Sequence, residues 1–596
     1  MSSRVAERNP PGSAAGPACT HEITAVTGAP AGGGPAGTEL GALLRGVRAV
    51  EAGDEVSAVG VEASCEPVEH PATSTDAAAT TTIRMLTTVV RYRRVMHEHT
   101  KRVTTSSGVV EGFTRNGVNR WRSIPYAKPP VGPLRFRAPM PAEPWRGVRY
   151  CHGFANCAPQ QRKYTLTGIG RYQTMGEDCL TLNVVAPEAA SDEPLPVMVF
   201  VHGGAYILGS SATPIYDGVK LARQGCVYVS VNYRLGALGC LDLSALGTAA
   251  HPIDSNLFLR DLVLALSWVR DNIAVFGGDP ANVTIFGESA GAHAVTSLLA
   301  VPAAEGLFSQ VISESPAAGM SSSAEQAAEF ANRFAALLGI EASEAARVLR
   351  TAPAAELVNA MDGLIAQGSQ EMLGAFPAGP THGDEYLPVE PLEAMRRGSA
   401  HRVPLIVGTN AEEARLFTRF LKLLPTTEPM IEALLAEAGP DARARITAAY
   451  PDYPRPAACV QLGGDFAFAS AAWDIAEAHS RHAPTYLYRY DYAPRTLKWS
   501  GLGATHATEL LAVFDVYRTR FGSLLTAAGD QRSAAAVTRA VQSRWLEFSR
   551  TGVPGGDWPA YHHDDRSVLV FDRRTRVELD PDRDRRSAWS GFSLTS

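Results

Sequence analysis

No stretch of this 596-residue chain is apolar for long enough to cross a bilayer, and no leading segment carries the continuous apolar run of a secretory signal. A membrane span is excluded, and a soluble protein is expected. Basic charge is scarce as well: 55 Lys and Arg against 61 Asp and Glu leave a net charge of −6, which offers no cationic footprint to a nucleic acid. Eight cysteines in a chain this long do not make a disulfide scaffold. Also missing are His-Glu-x-x-His, any close-spaced Cys/His group and a Gly-x-x-x-x-Gly-Lys phosphate loop, so nothing calls for a metal or an organic cofactor. No internal repeat is found. These absences argue against nucleic-acid and membrane-spanning roles and call for no cofactor.

The first hundred residues lack sustained periodicity. They are rich in Ala, Gly, Pro, Ser and Thr, as in GAPAGGGPAG from Gly28, and cannot bury enough apolar area to offset the entropy of ordering. Residues 1–99 read as a disordered, low-complexity extension, with a start at Met85 or Met96 as the other account. Residues 100–596 read as one α/β domain in which buried strands alternate with helices: Leu195 to Val201 and Val227 to Val231 are strand-like, and Leu257 to Phe276 has helical apolar spacing. Ala324 to Leu338, Ser343 to Met361 and Thr427 to Ala449 read as helical insertions that roof a pocket.

The chemistry starts at Thr284-Ile285-Phe286-Gly287-Glu288-Ser289-Ala290-Gly291, a strand-like run ending in Gly-x-Ser-x-Gly ahead of a helical pattern. At such an elbow a strained backbone lifts the serine hydroxyl clear of the sheet, and flanking glycines permit close strand-to-helix packing. Upstream, the run LPVMVFV leads into His202-Gly203-Gly204-Ala205-Tyr206. Alone this is a glycine turn. Placed before the elbow, it reads as the loop whose backbone N–H groups meet the charge that builds on a carbonyl oxygen, with Gly204, Ala205 and Ala290 as donors. Downstream, Val403 to Val407 (VPLIV) leads to Gly408-Thr409-Asn410-Ala411-Glu412-Glu413-Ala414, and a small-residue loop, Gly503-Ala504-Thr505-His506, supplies a histidine. Serine, then acid, then histidine is the chain order an α/β-hydrolase requires.

These segments, with Ile124-Pro125-Tyr126-Ala127-Lys128-Pro129-Pro130 to Phe136, Glu177-Asp178-Cys179-Leu180-Thr181-Leu182-Asn183, Val231-Asn232-Tyr233-Arg234 and Asn272 to Pro280, resemble the type B carboxylesterases, the family of para-nitrobenzyl esterases, liver carboxylesterases and cholinesterases. The resemblance runs from about Val109 to the C-terminal region. It implies an α/β-hydrolase fold, a central, mostly parallel twisted sheet flanked by helices, and a serine esterase acting on small-molecule esters. It further implies Ser289 as nucleophile, Glu413 as acid, His506 as base, and Ser315 as a support for Glu413. Glu412 is then a surface charge, and Ala414 stands where the family usually has glycine. Glu288 and Glu509 match family acids near the site, as site groups or as a structural polar network. The resemblance also pairs Cys157 with Cys179 in a disulfide. Cys226 and Cys240 read as small core residues. The loop from Ala158 to Asp178 contains Tyr164 and Tyr172 but no Trp, which speaks against a choline ester and for uncharged esters. Leu416 and Phe417 are candidate pocket lining. A catalytically silent adhesion module and a lipase or thioesterase with the same site are the alternatives.

Overall fold

Short runs of aliphatic and aromatic residues build the middle of the molecule, and their lateral order decides where chemistry can occur. The computed structural model describes residues 99–592, apart from 169, 318, 372–375 and 421–422. Except for His99, which opens the first strand, the N-terminal extension lies outside the described residues.

Thirteen strands form one mixed sheet. Leu195–Val201 lies near its centre. The chain adds Val227–Val231 on one side, crosses over to add Gly278–Glu288 on the other, and continues outward with Gln310–Glu314, Leu405–Asn410, Thr485–Tyr490 and Ser567–Phe571, all parallel. Strands His99–Thr105, Gly108–Arg115, Val118–Pro125 and Thr181–Pro187 complete the first side antiparallel, and Arg576–Leu579 closes the far edge. The order therefore reverses between Leu195–Val201 and its two neighbours. In open α/β sheets the crevice for a ligand lies at such a reversal, beyond the C-terminal ends of the strands.

Period-two alternation splits the buried residues between the two faces. Met198, Phe200, Phe286, Ile312 and Ile406 pack on one face with Trp545 and Phe548 of helix Gln531–Thr551. Val197, Val199, Val201, Ile285, Val311 and Val407 pack on the other with helices Leu257–Asn272 and Ala290–Leu298. With both faces covered, these strands read as near-continuous apolar runs, which is why they are visible in the sequence.

Residues from three of the segments singled out in the sequence act as struts. The Arg135 guanidinium pairs with Glu177 and donates to the carbonyls of Leu349 and Ala352, fixing the end of an insertion helix. Arg234 is buried in a bidentate pair with Asp261.

Three expectations are corrected. The helix read over Ser343 to Met361 is two helices, Ala342–Leu349 and Ala354–Glu371, because Pro353 cannot continue the first. Thr427 to Ala449 likewise divides into Glu428–Glu437 and Pro440–Ala448 at Gly439, whose φ is 83°. The strand read as Val403 to Val407 is Leu405–Asn410, extended through the residues taken as loop because each pairs in register with Thr485–Tyr490. Among the described residues, no helix is long and apolar enough to cross a membrane.

Candidate active site

Four loops meet at the sheet reversal, the last two joined as one region. The first follows Gly278–Glu288, where Ser289 holds φ 61° and ψ −124° and helix Ala290–Leu298 begins at the next residue. That left-handed φ is costly for a non-glycine residue. Two contacts hold it in place. The Ser289 N–H donates to the Glu314 carbonyl at 2.9 Å, and Gly287 and Gly291 are packed so tightly that a Cβ on Gly291 would lie 2.1 Å from the Val201 oxygen.

The second loop follows Leu195–Val201. Gly204, Ala205 and Tyr206 take φ of 116°, 50° and 59°, and a Cβ on Gly203 would lie 3.0 Å from the Ser289 Cβ. Among the described residues, the N–H groups of Gly204 and Ala205 donate to no acceptor, and that of Ala290 is a free donor of a helix first turn. His202 is fully buried, stacks on Tyr233 with ring centroids 4.6 Å apart, and is held neutral by burial, its pKa pushed down to about 4.

This loop has an anchor that the sequence reading missed. The Tyr206 hydroxyl lies 3.0 Å from Nδ1 of His293, and Ser321 Oγ lies 3.2 Å from its Nε2, so both ring nitrogens are engaged. Burial pushes the His293 pKa down to about 4, which keeps the ring neutral. His293 sits one turn after Ser289, and that spacing was the only available signal.

The third region joins the loop after Leu405–Asn410 to the histidine loop. Glu413 is buried, and its Oε1 accepts from Ser315 Oγ at 2.6 Å and from the Asn410 N–H at 2.7 Å. Its Oε2 lies 2.6 Å from His506 Nδ1. Ala414 is buried and has no positive φ, so alanine fits where the family usually has glycine. Glu412 is not an idle surface charge. Its carboxylate accepts from the Ala504 N–H at 2.9 Å and pairs with Arg415, tying the acid loop to the histidine loop.

His506 Nε2 faces Glu288 Oε1 at 3.0 Å, and among the described residues no hydrogen bond joins it to Ser289. Glu288 belongs to a buried carboxyl group set with Glu314 and Glu509. Glu314 Oε1 accepts from Trp545 Nε1 at 2.7 Å, and Glu509 accepts from Asn410 Nδ2. Desolvation raises all three pKa values, that of Glu314 to about 8, and mutual repulsion adds to the rise for Glu288 and Glu509. Phe417 and Phe468 cover the other side of the imidazole, with centroids 5.2 and 4.3 Å from it. Leu416 packs against this aromatic pair.

The expected Cys157–Cys179 bridge is absent, and both residues are free, buried thiols. Cys157 Sγ is 3.5 Å from the Thr174 carbonyl, its backbone bonds to residues 174 and 176, and Cys179 packs into the main core. Burial raises both thiol pKa values, that of Cys157 to about 11. Cys226 and Cys240 are buried, as small core residues should be. Among the described residues, no group of His, Cys, Asp or Glu is arranged to hold a metal ion.

The profile of the Carboxylesterase family matches residues 99–589. The para-nitrobenzyl esterase of Bacillus subtilis (strain 168) is 38% identical over 496 residues, covering 81% of this chain and 97% of its own. The fumonisin B1 esterase of Sphingopyxis macrogoltabida is 35% identical over 476 residues, covering 77% and 84%. A solved PNB esterase superposes with a TM-score of 0.73 at 37% identity, over 82% of this chain and 99% of that one.

Proposed function

Because the chain belongs to the carboxylesterase family, we propose that it hydrolyses uncharged carboxylic esters through an acyl-enzyme formed on Ser289, with His506 as base and Glu413 as acid. The observation that carries this reading is the environment of Glu413. One oxygen is occupied by Ser315 and Asn410, the other is free only for His506 Nδ1, and the imidazole lies over the same sheet edge as a serine held at φ 61°.

The reaction begins when His506 Nε2 exchanges the Glu288 carboxyl for the Ser289 hydroxyl. Nε2 then takes the hydroxyl proton as Oγ attacks the carbonyl carbon, and the N–H groups of Gly204, Ala205 and Ala290 receive the oxyanion. The imidazolium is stabilised by Glu413 and returns the proton to the departing alcohol. Water repeats the sequence on the acyl-enzyme. Burial raises the pKa of Glu314 to about 8, so that it keeps its proton at neutral pH, and burial with mutual repulsion shifts Glu288 and Glu509 in the same direction.

Two features favour an uncharged substrate. Phe417, Phe468 and Leu416 make the surface beside His506 apolar. In the loop where a cation could stack, the aromatic faces are already taken: Arg162 lies 4.9 Å from the Tyr172 ring and Lys163 4.8 Å from that of Tyr164. The test is hydrolysis of para-nitrophenyl esters of increasing acyl length by the full chain and by Ser289→Ala, with a serine-acylating organophosphate and a strong chelator. Turnover by the chain, loss of it in the folded variant, stoichiometric inactivation by the organophosphate and indifference to the chelator are expected. Organophosphate resistance combined with chelator sensitivity overturns the reading.

A further inference from the structure

We infer that Phe468 is a positioning residue for the general base, held against His506 by a π-helical turn that the C-terminal helix clamps in place. The inference rests on the proposed role of His506. It assigns a task to a segment far from the Gly-x-Ser-x-Gly motif.

Helices Pro456–Gly464 and Ser470–His479 form one continuous helix interrupted by a π turn over Asp465–Ala469. A π turn inserts a residue into the helical ladder and is uncommon unless something outside the helix stabilises it; such turns concentrate at functional sites. The inserted residue swings the two halves by about 100° relative to each other, since each residue of an α-helix advances by that angle. The first half can therefore keep one bearing and the second another.

The first half bears on the acid loop. Gly464 is so close to it that a Cβ there would lie 3.1 Å from the Ala414 nitrogen and 3.5 Å from the Glu413 Cβ. Beyond the turn, Phe468 bears on the base: its ring centroid is 4.3 Å from that of His506, with the planes 31° apart, and Phe417 backs it in a stacked pair at 5.7 Å. Phe466 points to the C-terminal segment, with its ring 5.8 Å from Trp589.

Asp465, the first residue of the turn, is the fixed point. Its buried carboxylate accepts from Tyr450 at 2.7 Å, from Gln461 at 2.9 Å and from Arg585 at 2.7 and 3.0 Å. The Tyr450 hydroxyl in turn accepts from Trp589 Nε1 at 2.8 Å. Arg585 and Trp589 both belong to helix Arg583–Trp589. A buried carboxylate with every lone pair answered does not rotate freely, so the start of the turn is immobilised from the C-terminus of the chain.

An aromatic ring tilted by 31° with its centroid 4.3 Å away does two things for an imidazole. It limits rotation of the ring about the Cβ–Cγ bond, keeping Nδ1 on Glu413. Its quadrupole also favours the imidazolium, which exists in the transition state and not in the resting neutral ring. A contact that strengthens as charge develops raises kcat and leaves ground-state binding alone.

The experiment compares Phe468→Leu, which keeps the bulk and loses the π face, with Phe468→Tyr, which keeps both, in the full chain on a short para-nitrophenyl ester. Phe468→Leu is expected to lower kcat about tenfold with KM within about twofold, and Phe468→Tyr to retain most of kcat. Arg585→Gln is expected to lower kcat as well, and the double variant with Phe468→Leu to be no slower than Phe468→Leu alone, because Arg585 acts through the ring. Should Arg585→Gln not fold, Asp465→Asn replaces it in the cycle. Unchanged kcat in a folded Phe468→Leu, or a change confined to KM, overturns the inference, as does additivity in the double variant. Stoichiometric organophosphate labelling of Phe468→Leu keeps this outcome separate from failure of the serine mechanism, which would abolish labelling in the parent chain too.

Discussion

The two halves of the site are built by different means. The half proposed to carry the nucleophile, made from the loops after Leu195–Val201 and Gly278–Glu288, is a backbone construction: glycines at van der Waals limit, positive φ at Gly204, Ala205 and Ser289, and proposed donors that are main-chain N–H groups. The half proposed to carry the base, made from the loops after Leu405–Asn410 and around His506, is a side-chain construction, in which Ser315, Asn410, Glu412, Thr505 and Phe468 hold Glu413, His506 and their loops through hydrogen bonds and ring contacts. A backbone device tolerates no added atom, whereas a side-chain device tolerates substitutions that keep its donors and acceptors.

The comparison is broken hardest at the acid. Glu413→Gln keeps the shape but leaves the imidazolium without its counter-charge and favours the wrong tautomer, and kcat is expected to fall on the order of 10⁴-fold. Glu412→Gln, which keeps an acceptor for Ala504, is expected to cost only a few-fold. The reversed order in steady-state kinetics would show that the two carboxylates have been interchanged.

Next comes the backbone half. A methyl on Gly291 must displace the Val201 carbonyl that it would meet at 2.1 Å. Gly291→Ala is expected to lower thermal stability by about 1–3 kcal/mol and to lower kcat by at least about 100-fold, because the elbow shifts. A variant with parental Tm and activity would contradict the close-packed reading of this half.

A smaller effect is expected where the two styles of construction meet, at Tyr206. Tyr206→Phe removes only the hydroxyl that reaches His293, leaving a buried neutral ring with one unanswered nitrogen. A loss of about 1–3 kcal/mol in stability is expected, with kcat lowered by roughly tenfold and KM little changed as the oxyanion donors loosen. An effect confined to Tm would show that the anchor serves the fold and not the loop.

The mildest break concerns protons. Glu314 has its folded pKa raised to about 8 by burial, above its ordinary carboxyl value. The folded state therefore binds the extra proton between those two values, and the stabilising contribution, full below the ordinary carboxyl range, is lost as pH rises through about 8. Glu288 and Glu509 shift in the same direction. Glu314→Gln, which cannot ionise, is expected to flatten the fall of Tm between about pH 5 and 8 by roughly a few degrees. A Tm profile parallel to that of the parent chain would show that Glu314 is ionised throughout.

This contrast also governs what could be read before the structure. Backbone devices leave compositional marks: only glycine serves at 287 and 291, and the apolar runs on either side of the elbow are long and unbroken because both sheet faces are covered. The fold class and the strand–turn–helix elbow at Ser289 were legible for that reason. Side-chain devices leave no local mark. Glu413 and His506 could be numbered only through the family pattern, and Glu412 was taken for a solvated charge because its partner, the Ala504 N–H, lies 92 positions away. Phe468 and His293 belong to no recognisable motif, and Tyr206 was visible only as the end of the glycine loop. The π turn was invisible, since helical periodicity persists on both sides of it.

The parallel ladder has a consequence for how the molecule comes to be active. Gly278–Glu288 finds its two neighbours, Leu195–Val201 and Gln310–Glu314, within the same stretch of chain, whereas the strands that carry the acid and the approach to the histidine are added outward from that nucleus. Distant pairings form late because the entropy of closing long loops must be met before any contact rewards it. The clamp on Asp465 comes from the last described helix of all. Recovery of catalysis during refolding should therefore lag behind recovery of sheet and helix, and a chain still emerging from the ribosome would display its serine elbow well before it could use it.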